Sequence, residues 1–485
     1  MTIKKLIIFI PSLLAIFPSF SLYSANIDVA NVPFFIFLLS LFIIGLAVLF
    51  VFLVFRVLLK NYSKAAILTT LLVFTIFYYG YFFRATQRVY LGSRHWMTIP
   101  LWGLMFIIVG SYILLTKKKL DDAFKIIGIF GFFLFIVSFS FFLIDGFKDN
   151  HQQNQNVTFP NKMDRVSLDS VNSILGYVPD LYYIVPDGYA NSNVLEEFFG
   201  YDNSEFISYL KSKKFTIVNN SESNYCETLF SMPATLNMEY GETLIQNFLS
   251  SPRAERKELL EYNRTADLFK NLGYKYISIS SENTAFSGEY ADEKFGSSMF
   301  FRLLISPTIF NPLLMKPKQD ILGAFDAFKK VLIINEPKFV LVHILSPHAP
   351  YVFGPNGENV GINYGAENSL NDMKLYLGQL EFINSELEKT VDTILKNSAH
   401  TPIIIIQSDH GVLLLNSYEM QTIKDGRLKN FSAYLLPEKI KGSMGITVDP
   451  PYTNINTFRF IFDRYFGTNF GLLENRKFYS DSCEK

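Results

Sequence analysis

The sequence predicts an α/β protein in two parts: an N-terminal bundle of about five transmembrane helices, then a domain built on a mainly parallel, helix-covered sheet. Three observations predict it. Uncharged runs of spanning length crowd the first 145 residues, and strand-like and helix-like runs alternate from Pro179 onward. The third is the run Ile403-Ile404-Ile405-Ile406, which can be buried only if both faces of a strand are covered, as in the centre of a parallel sheet.

In the first part, Pro33–Phe55 holds 23 residues without a charge, enough to cross a hydrocarbon core of about 30 Å at ~1.5 Å per residue. Ala65–Phe83, Trp96–Thr116 and Ile126–Ile144 are further runs of spanning length. Leu6–Tyr23 is shorter and interrupted by Pro11 and Pro18, and reads either as a fifth span or as a signal sequence behind Lys4-Lys5. Nine Lys/Arg, from Lys4 to Lys125, fall on one side of these spans and four, Arg84, Arg88, Arg94 and Lys148, on the other. Positive residues concentrate on the cytoplasmic side, so everything after Ile144 is expected outside, on the exoplasmic face of the membrane. The expected divisions are a transmembrane domain at 1–145, a linker at 146–178 and an exoplasmic domain at 179–485.

Charge narrows the class of function. The chain has 44 basic and 44 acidic side chains; residues 1–150 carry 13 and 5 of them, leaving 31 and 39, so the two parts are about +8 and −8. An acidic soluble domain excludes the basic footprint of a nucleic-acid binder. The stretch Arg84–His95 runs against the charge bias. Its arginines Arg84, Arg88 and Arg94 serve either as interfacial anchors or as contacts to the phosphate of a lipid headgroup. Cys226 and Cys483 could pair in an oxidising compartment, but spacing alone does not decide it.

In the second part, Leu181–Val185, Phe215–Val218, Tyr274–Ser278, Phe339–Leu345, Ile403–Ile406 and Ser432–Leu435 read as strands. Val194–Phe199, Ser204–Lys213, Asn371–Asn397 and Thr457–Phe466 read as helices. In open parallel sheets, ligands collect beyond the carboxyl ends of the strands. Leu181–Val185 runs into Pro186-Asp187-Gly188. Phe339–Leu345 contains His343 and runs into Ser346-Pro347-His348, and Ile403–Ile406 runs into Asp409-His410. His343 is either a core histidine or part of this group. The segment Thr228-Leu229-Phe230-Ser231-Met232-Pro233 reads as a loop entering a helix near Pro233, which places the Thr228 and Ser231 hydroxyls at a helix N-terminus as caps or as anion-facing groups.

Together, Asp187-Gly188, Thr228-x-x-Ser231-x-Pro233, His343 with His348-x-Pro350, and Ser408-Asp409-His410-Gly411 resemble the alkaline phosphatase/sulfatase superfamily. The likeness is greatest to its membrane-anchored branch of lipoteichoic acid synthases and phosphoethanolamine transferases. The resemblance implies an alkaline phosphatase/sulfatase-like domain with one divalent metal ion, zinc or manganese, held by Asp187, Thr228, Asp409 and His410. It implies Thr228 as nucleophile, with His348 and His343 serving the phosphoryl oxygens or the leaving group. The reaction implied moves a phosphoglycerol- or phosphoethanolamine-type group from a phospholipid donor to an envelope lipid or glycan. Two other readings are a phosphodiester or sulfuric-ester hydrolase and a non-catalytic sensor of envelope lipids. The chain departs from the pattern in three places: Cys226-Glu227-Thr228 does not match the Cys-x-Pro-x-Arg loop of formylglycine sulfatases, Val412 stands where a glutamate is usual, and no histidine follows His410.

Overall fold

The computed structural model describes residues 34–89, 95–118 and most of 171–483, with isolated positions at 17 and between 120 and 140. Residues 282–287, 297–303, 364–368, 414–417 and 439–448 lie outside the described residues. So do the expected first span Leu6–Tyr23 apart from Phe17, much of Ile126–Ile144, most of the expected linker, and Arg94. The chain divides into two compact units, 1–158 with 298–316 and 159–297 with 317–485.

The first unit holds helices α1 (Phe34–Leu59), α2 (Tyr62–Phe77), α3 (Tyr79–Val89) and α4 (His95–Leu115). Phe35–Leu59 and His95–Leu115 are long and apolar enough to cross a membrane. Tyr62–Phe77 with Tyr79–Thr86 adds a third if taken as one span bent by 51°. Small residues let these helices approach: Ala65 and Ala66 of α2 pack with Phe52 and Ile113. Lys64 Nζ donates to the Leu114 and Thr116 carbonyls, each at 2.8 Å, at the end of α4.

Ala65–Phe83, expected as one span, is bent at Tyr78. The cause is local: the Trp102 indole donates to the Thr75 carbonyl at 2.8 Å, the Ile309 N–H donates to the Ile76 carbonyl at 2.8 Å, and the Gly80 N–H donates to the Pro307 carbonyl at 2.8 Å. Groups that would continue the helical ladder are taken from outside it. Arg84 and Arg88, expected in a loop, lie on α3. Tyr79 and Phe83 of α3 pack with Trp102, while Arg84 is exposed with its guanidinium 4.8 Å from the Tyr81 ring centre.

The second unit is organised by one seven-stranded sheet. Its strands are β1 (Leu181–Pro186), β2 (Thr216–Ile217), β3 (Lys275–Ser280), β4 (Glu293–Gly296), β5 (Lys338–Ile344), β6 (Ile403–Gln407) and β7 (Ser432–Leu435), in the order β2-β7-β6-β1-β5-β3-β4. From β6 to β4 every pairing is parallel, and β7 and β2 close one edge antiparallel. The four isoleucines explain why β6 sits inside. Ile404 and Ile406 enter a core with Leu380, Ile383 and Leu387 of the helix Leu370–Asn397, while Ile403 and Ile405 enter a second core with Phe458 and Phe462 of Thr457–Tyr465. A strand with both faces covered requires apolar residues at every position.

Candidate metal centre

Register brings three strand ends together. Val185 pairs with His343 and Ile184 with Ile406, so β6, β1 and β5 finish side by side, with β1 in the middle. Asp187 follows β1, and its backbone N–H donates to Ile344 at 2.9 Å. Gly188 takes a φ of +71°, which a side chain disfavours, and a Cβ there would lie 3.4 Å from His348. Helix α6 (Leu370–Asn397) pins this turn and the neighbouring one. Tyr376 Oη donates to the Gly188 carbonyl at 3.1 Å, and Gln379 Nε2 donates to the His348 carbonyl at 3.0 Å.

The Asp409-His410 turn is braced from several directions. Asn454 Nδ2 donates to the Ser408 carbonyl at 2.9 Å and Asn430 Nδ2 donates to the same oxygen. Ser231 Oγ donates to the Asp409 carbonyl at 2.6 Å. Gly411 is required by close approach: a Cβ would lie 2.3 Å from the Gly426 carbonyl oxygen and 2.5 Å from that of Lys429, at the end of helix α7 (Met420–Leu428).

These turns aim three ligand atoms at one point. Asp187, Asp409 and His410 are buried, and one ligand atom from each lies within 4.8 Å of the others. His410 Nε2 is 3.5 Å from both Asp187 Oδ1 and Asp409 Oδ2. Those two carboxylate oxygens are buried without a hydrogen-bond partner, a costly arrangement unless a cation completes it. Ligand atoms bonded to one divalent ion at ~2.0–2.1 Å stand about 3.4 Å apart, and the two His410–carboxylate distances of 3.5 Å are close to that. His410 Nδ1–H donates to the Gly411 carbonyl at 2.8 Å, which leaves the Nε2 lone pair facing the carboxylates. Burial holds His410 below its ordinary pKa, with a contribution from Arg427, so the neutral, ligating form prevails. For Asp187, burial pushes the carboxyl up, but the nearby His348 and the His343 side chain outweigh it and hold it below the usual carboxylate range. The donor set of two carboxylates and one imidazole fits a divalent metal.

Around this group, Thr228 is the first residue of helix α5 (Thr228–Asn237), behind the N-cap Glu227. The helix therefore starts five residues before Pro233, which stands inside it. Thr228 Oγ1 donates to Asp187 Oδ2 at 3.4 Å, so its hydroxyl faces the carboxylate and does not cap the helix. His343 Nε2 lies 3.4 Å from the same oxygen. His348 has its ring centre 6.0 Å from that of His410, and its Nδ1–H donates to the Ala349 carbonyl at 2.7 Å. Thr228 and His348 are half-buried where Asp187, Asp409 and His410 are closed off, so the group opens on their side. The exposed Arg84 belongs to the first unit, Arg88 sits on α3, and Arg94 is not among the described residues.

Two features went unread in the sequence. Arg427, in α7, is buried, its Nε has no hydrogen-bond partner, and its charge is felt by Asp187, Asp409 and Glu227. In Lys-Asp-Gly-Arg-Leu-Lys it looks like a solvated helix end, and only the backbone bond from Gly411 N–H to its carbonyl, 2.7 Å, brings it under the site. The second is the pairing left open: Cys226 and Cys483 are joined, which ties the chain two residues before Thr228 to the C-terminal segment.

Compared with family models, residues 196–434 match the sulfatase family. Compared by sequence with curated proteins, the chain has no match. Among solved structures, it is similar to the C-terminal periplasmic domain of EptC from Escherichia coli in complex with Zn, at 15% identity over 60% of this chain and 83% of that one, with a TM-score of 0.42. It is similar to the lipooligosaccharide phosphoethanolamine transferase A (EptA) from Neisseria meningitidis, an integral membrane protein, at 11% identity over 99% and 97%, TM-score 0.41. It is also similar to BT1596, a 2-O GAG sulfatase, at 14% identity over 63% and 74%, TM-score 0.39.

Proposed function

We propose that this chain, whose residues 196–434 match the sulfatase family, is a metal-dependent, membrane-bound transferase. It moves a phosphoglycerol- or phosphoethanolamine-type group from a phospholipid donor onto a hydroxyl of an envelope lipid or glycan. One observation carries this reading: two buried carboxylate oxygens without hydrogen-bond partners face an imidazole Nε2, and Asp187, which supplies one of them, also accepts the Thr228 hydroxyl at 3.4 Å. Five spans in residues 1–145 anchor it in a bacterial cytoplasmic membrane, a linker at 146–178 comes next, and the domain at 179–485 works on the periplasmic side.

Asp187, Asp409, His410 and Thr228 would hold zinc or manganese, an ion that supplies positive charge to the site and lowers the pKa of a coordinated hydroxyl. Asp187 Oδ2 orients Thr228 Oγ1 and takes up its hydrogen bond, while His343 steadies the same carboxylate. As a Thr228 Oγ–P bond forms in line and the Oγ1 proton passes to water, the P–O bond to the lipid breaks and protonated His348 gives its proton to the departing oxygen, leaving a phosphodiester on Thr228. The acceptor hydroxyl then gives its proton back to His348 and attacks phosphorus, which releases Thr228; on its release Thr228 regains a proton from water. Arg427 and the free N–H groups at the start of α5 supply positive potential to the non-bridging oxygens. A hydrolase would differ only in the acceptor, water. Envelope lipids and glycans from cells carrying wild-type protein or Thr228→Ala, compared by mass spectrometry, test the proposal. A phospho-substituent missing from one lipid or glycan in the variant supports transfer. Identical profiles overturn it.

A further inference from the structure

The bend between α2 and α3 has a counterpart far along the chain. After β4 the chain leaves the second unit, and residues 298–316 belong to the first. There Ile309 N–H donates to the Ile76 carbonyl and the Pro307 carbonyl accepts from Gly80 N–H, each at 2.8 Å, so a two-bond backbone clip closes across the bend. Ile309 packs against the cluster of Tyr79, Phe83 and Trp102, and Pro307 and Thr308 are buried. Broken helices are tolerated at membrane depth only where neighbouring backbone satisfies the freed groups, and this clip does so.

Beyond the clip the chain is apolar and exposed. Phe310 is 44% exposed, Leu313 67% and Leu314 46%, next to a first unit whose own exposed surface is built of Leu, Ile, Phe and Trp. Leu303–Met315 is 13 residues without a charge, flanked by Arg302 and Lys316. Among its described residues Asn311–Leu314 is a single helical turn, about 6 Å long at ~1.5 Å per residue, far short of a hydrocarbon core but enough to dip apolar side chains into one leaflet.

We propose that residues 307–314 form a re-entrant hook that is clipped into the α2–α3 bend and inserts Phe310, Leu313 and Leu314 into the lipid bilayer, which makes a second membrane attachment within the C-terminal part of the chain. The occupant of this face is lipid, because the face is continuous with helices of spanning length and carries no charge to recognise a polar partner. The metal centre plays no part in this inference.

The test uses the full-length protein in nanodiscs of phosphatidylethanolamine and phosphatidylglycerol, with or without doxyl-labelled phosphatidylcholine. Both native cysteines are paired, so an environment-sensitive fluorophore on Leu313→Cys, or on Leu472→Cys as a control 55% exposed in the second unit, labels one site at a time. At position 313 the label should be blue-shifted and lose most of its emission to the doxyl lipid, while at 472 it should be unaffected. Equal quenching at the two sites overturns the proposal. So does a blue shift at 313 without quenching, which would set the face against protein. Separately, Ile76→Cys with Ile309→Cys should give a cross-linked peptide under mild oxidation, and its absence from a folded sample overturns the clip.

Discussion

At the scale of single residues, the centre depends on atoms left unsatisfied for a purpose. Asp187 Oδ1 and Asp409 Oδ2 are buried with no hydrogen-bond partner, so Asp409→Asn should abolish binding of a divalent ion while leaving the fold standing, as read by metal analysis and circular dichroism. Gly411 is constrained differently. Its missing Cβ would lie 2.3 Å from backbone oxygen, which cannot rotate away, so Gly411→Ala should cost roughly 1–3 kcal/mol by overpacking and appear as a lowered denaturation midpoint. Arg427→Met, similar in length but uncharged, should lower kcat/KM by about 10²- to 10³-fold, the loss expected when a preorganised charge is removed; activity unchanged with labelled phospholipid would remove Arg427 from the account. Asp187, Asp409, His410 and His348 were legible because each sits at the end of an apolar run. Arg427 was not, since its place depends on how α7 folds back under Gly411.

At the scale of elements, the strands were legible because burial on both faces leaves an unbroken apolar signature, and β7 lies at Ser432–Leu435, as the sequence suggested. Helix α5 was read less well. Pro233 suggested a start near itself, yet the helix begins at Thr228, and the proline sits in its second turn. The earlier start is what puts the Thr228 hydroxyl beside Asp187. The same stretch is fastened by Cys226–Cys483, which closes a loop of 257 residues. Replacing both cysteines by serine should cost about 2–5 kcal/mol, visible as a lower melting temperature in non-reducing buffer, and the wild type should show the same loss under reductant.

For the whole molecule, length and hydropathy announced a membrane part and a parallel-sheet domain, and the structure holds apolar helices and a mainly parallel sheet. The association of 298–316 with the first unit could not be read, because 13 uncharged residues fall below the length that marks a span. A metal that binds the folded domain stabilises it by mass action, about 2.7 kcal/mol at a free concentration 100 times Kd. Chelation should therefore lower the melting temperature of the wild type and leave that of Asp409→Asn unmoved. An equal shift in both would mean that the ion binds elsewhere.

The central claim is that Thr228 carries the transferred group. Purified protein loaded with zinc or manganese, given phospholipid donor without acceptor and quenched in acid, should yield a phospho-adduct on the peptide containing Thr228, absent from Thr228→Ala and reduced in Asp187→Asn. Turnover of the donor with an adduct only on another residue would contradict it.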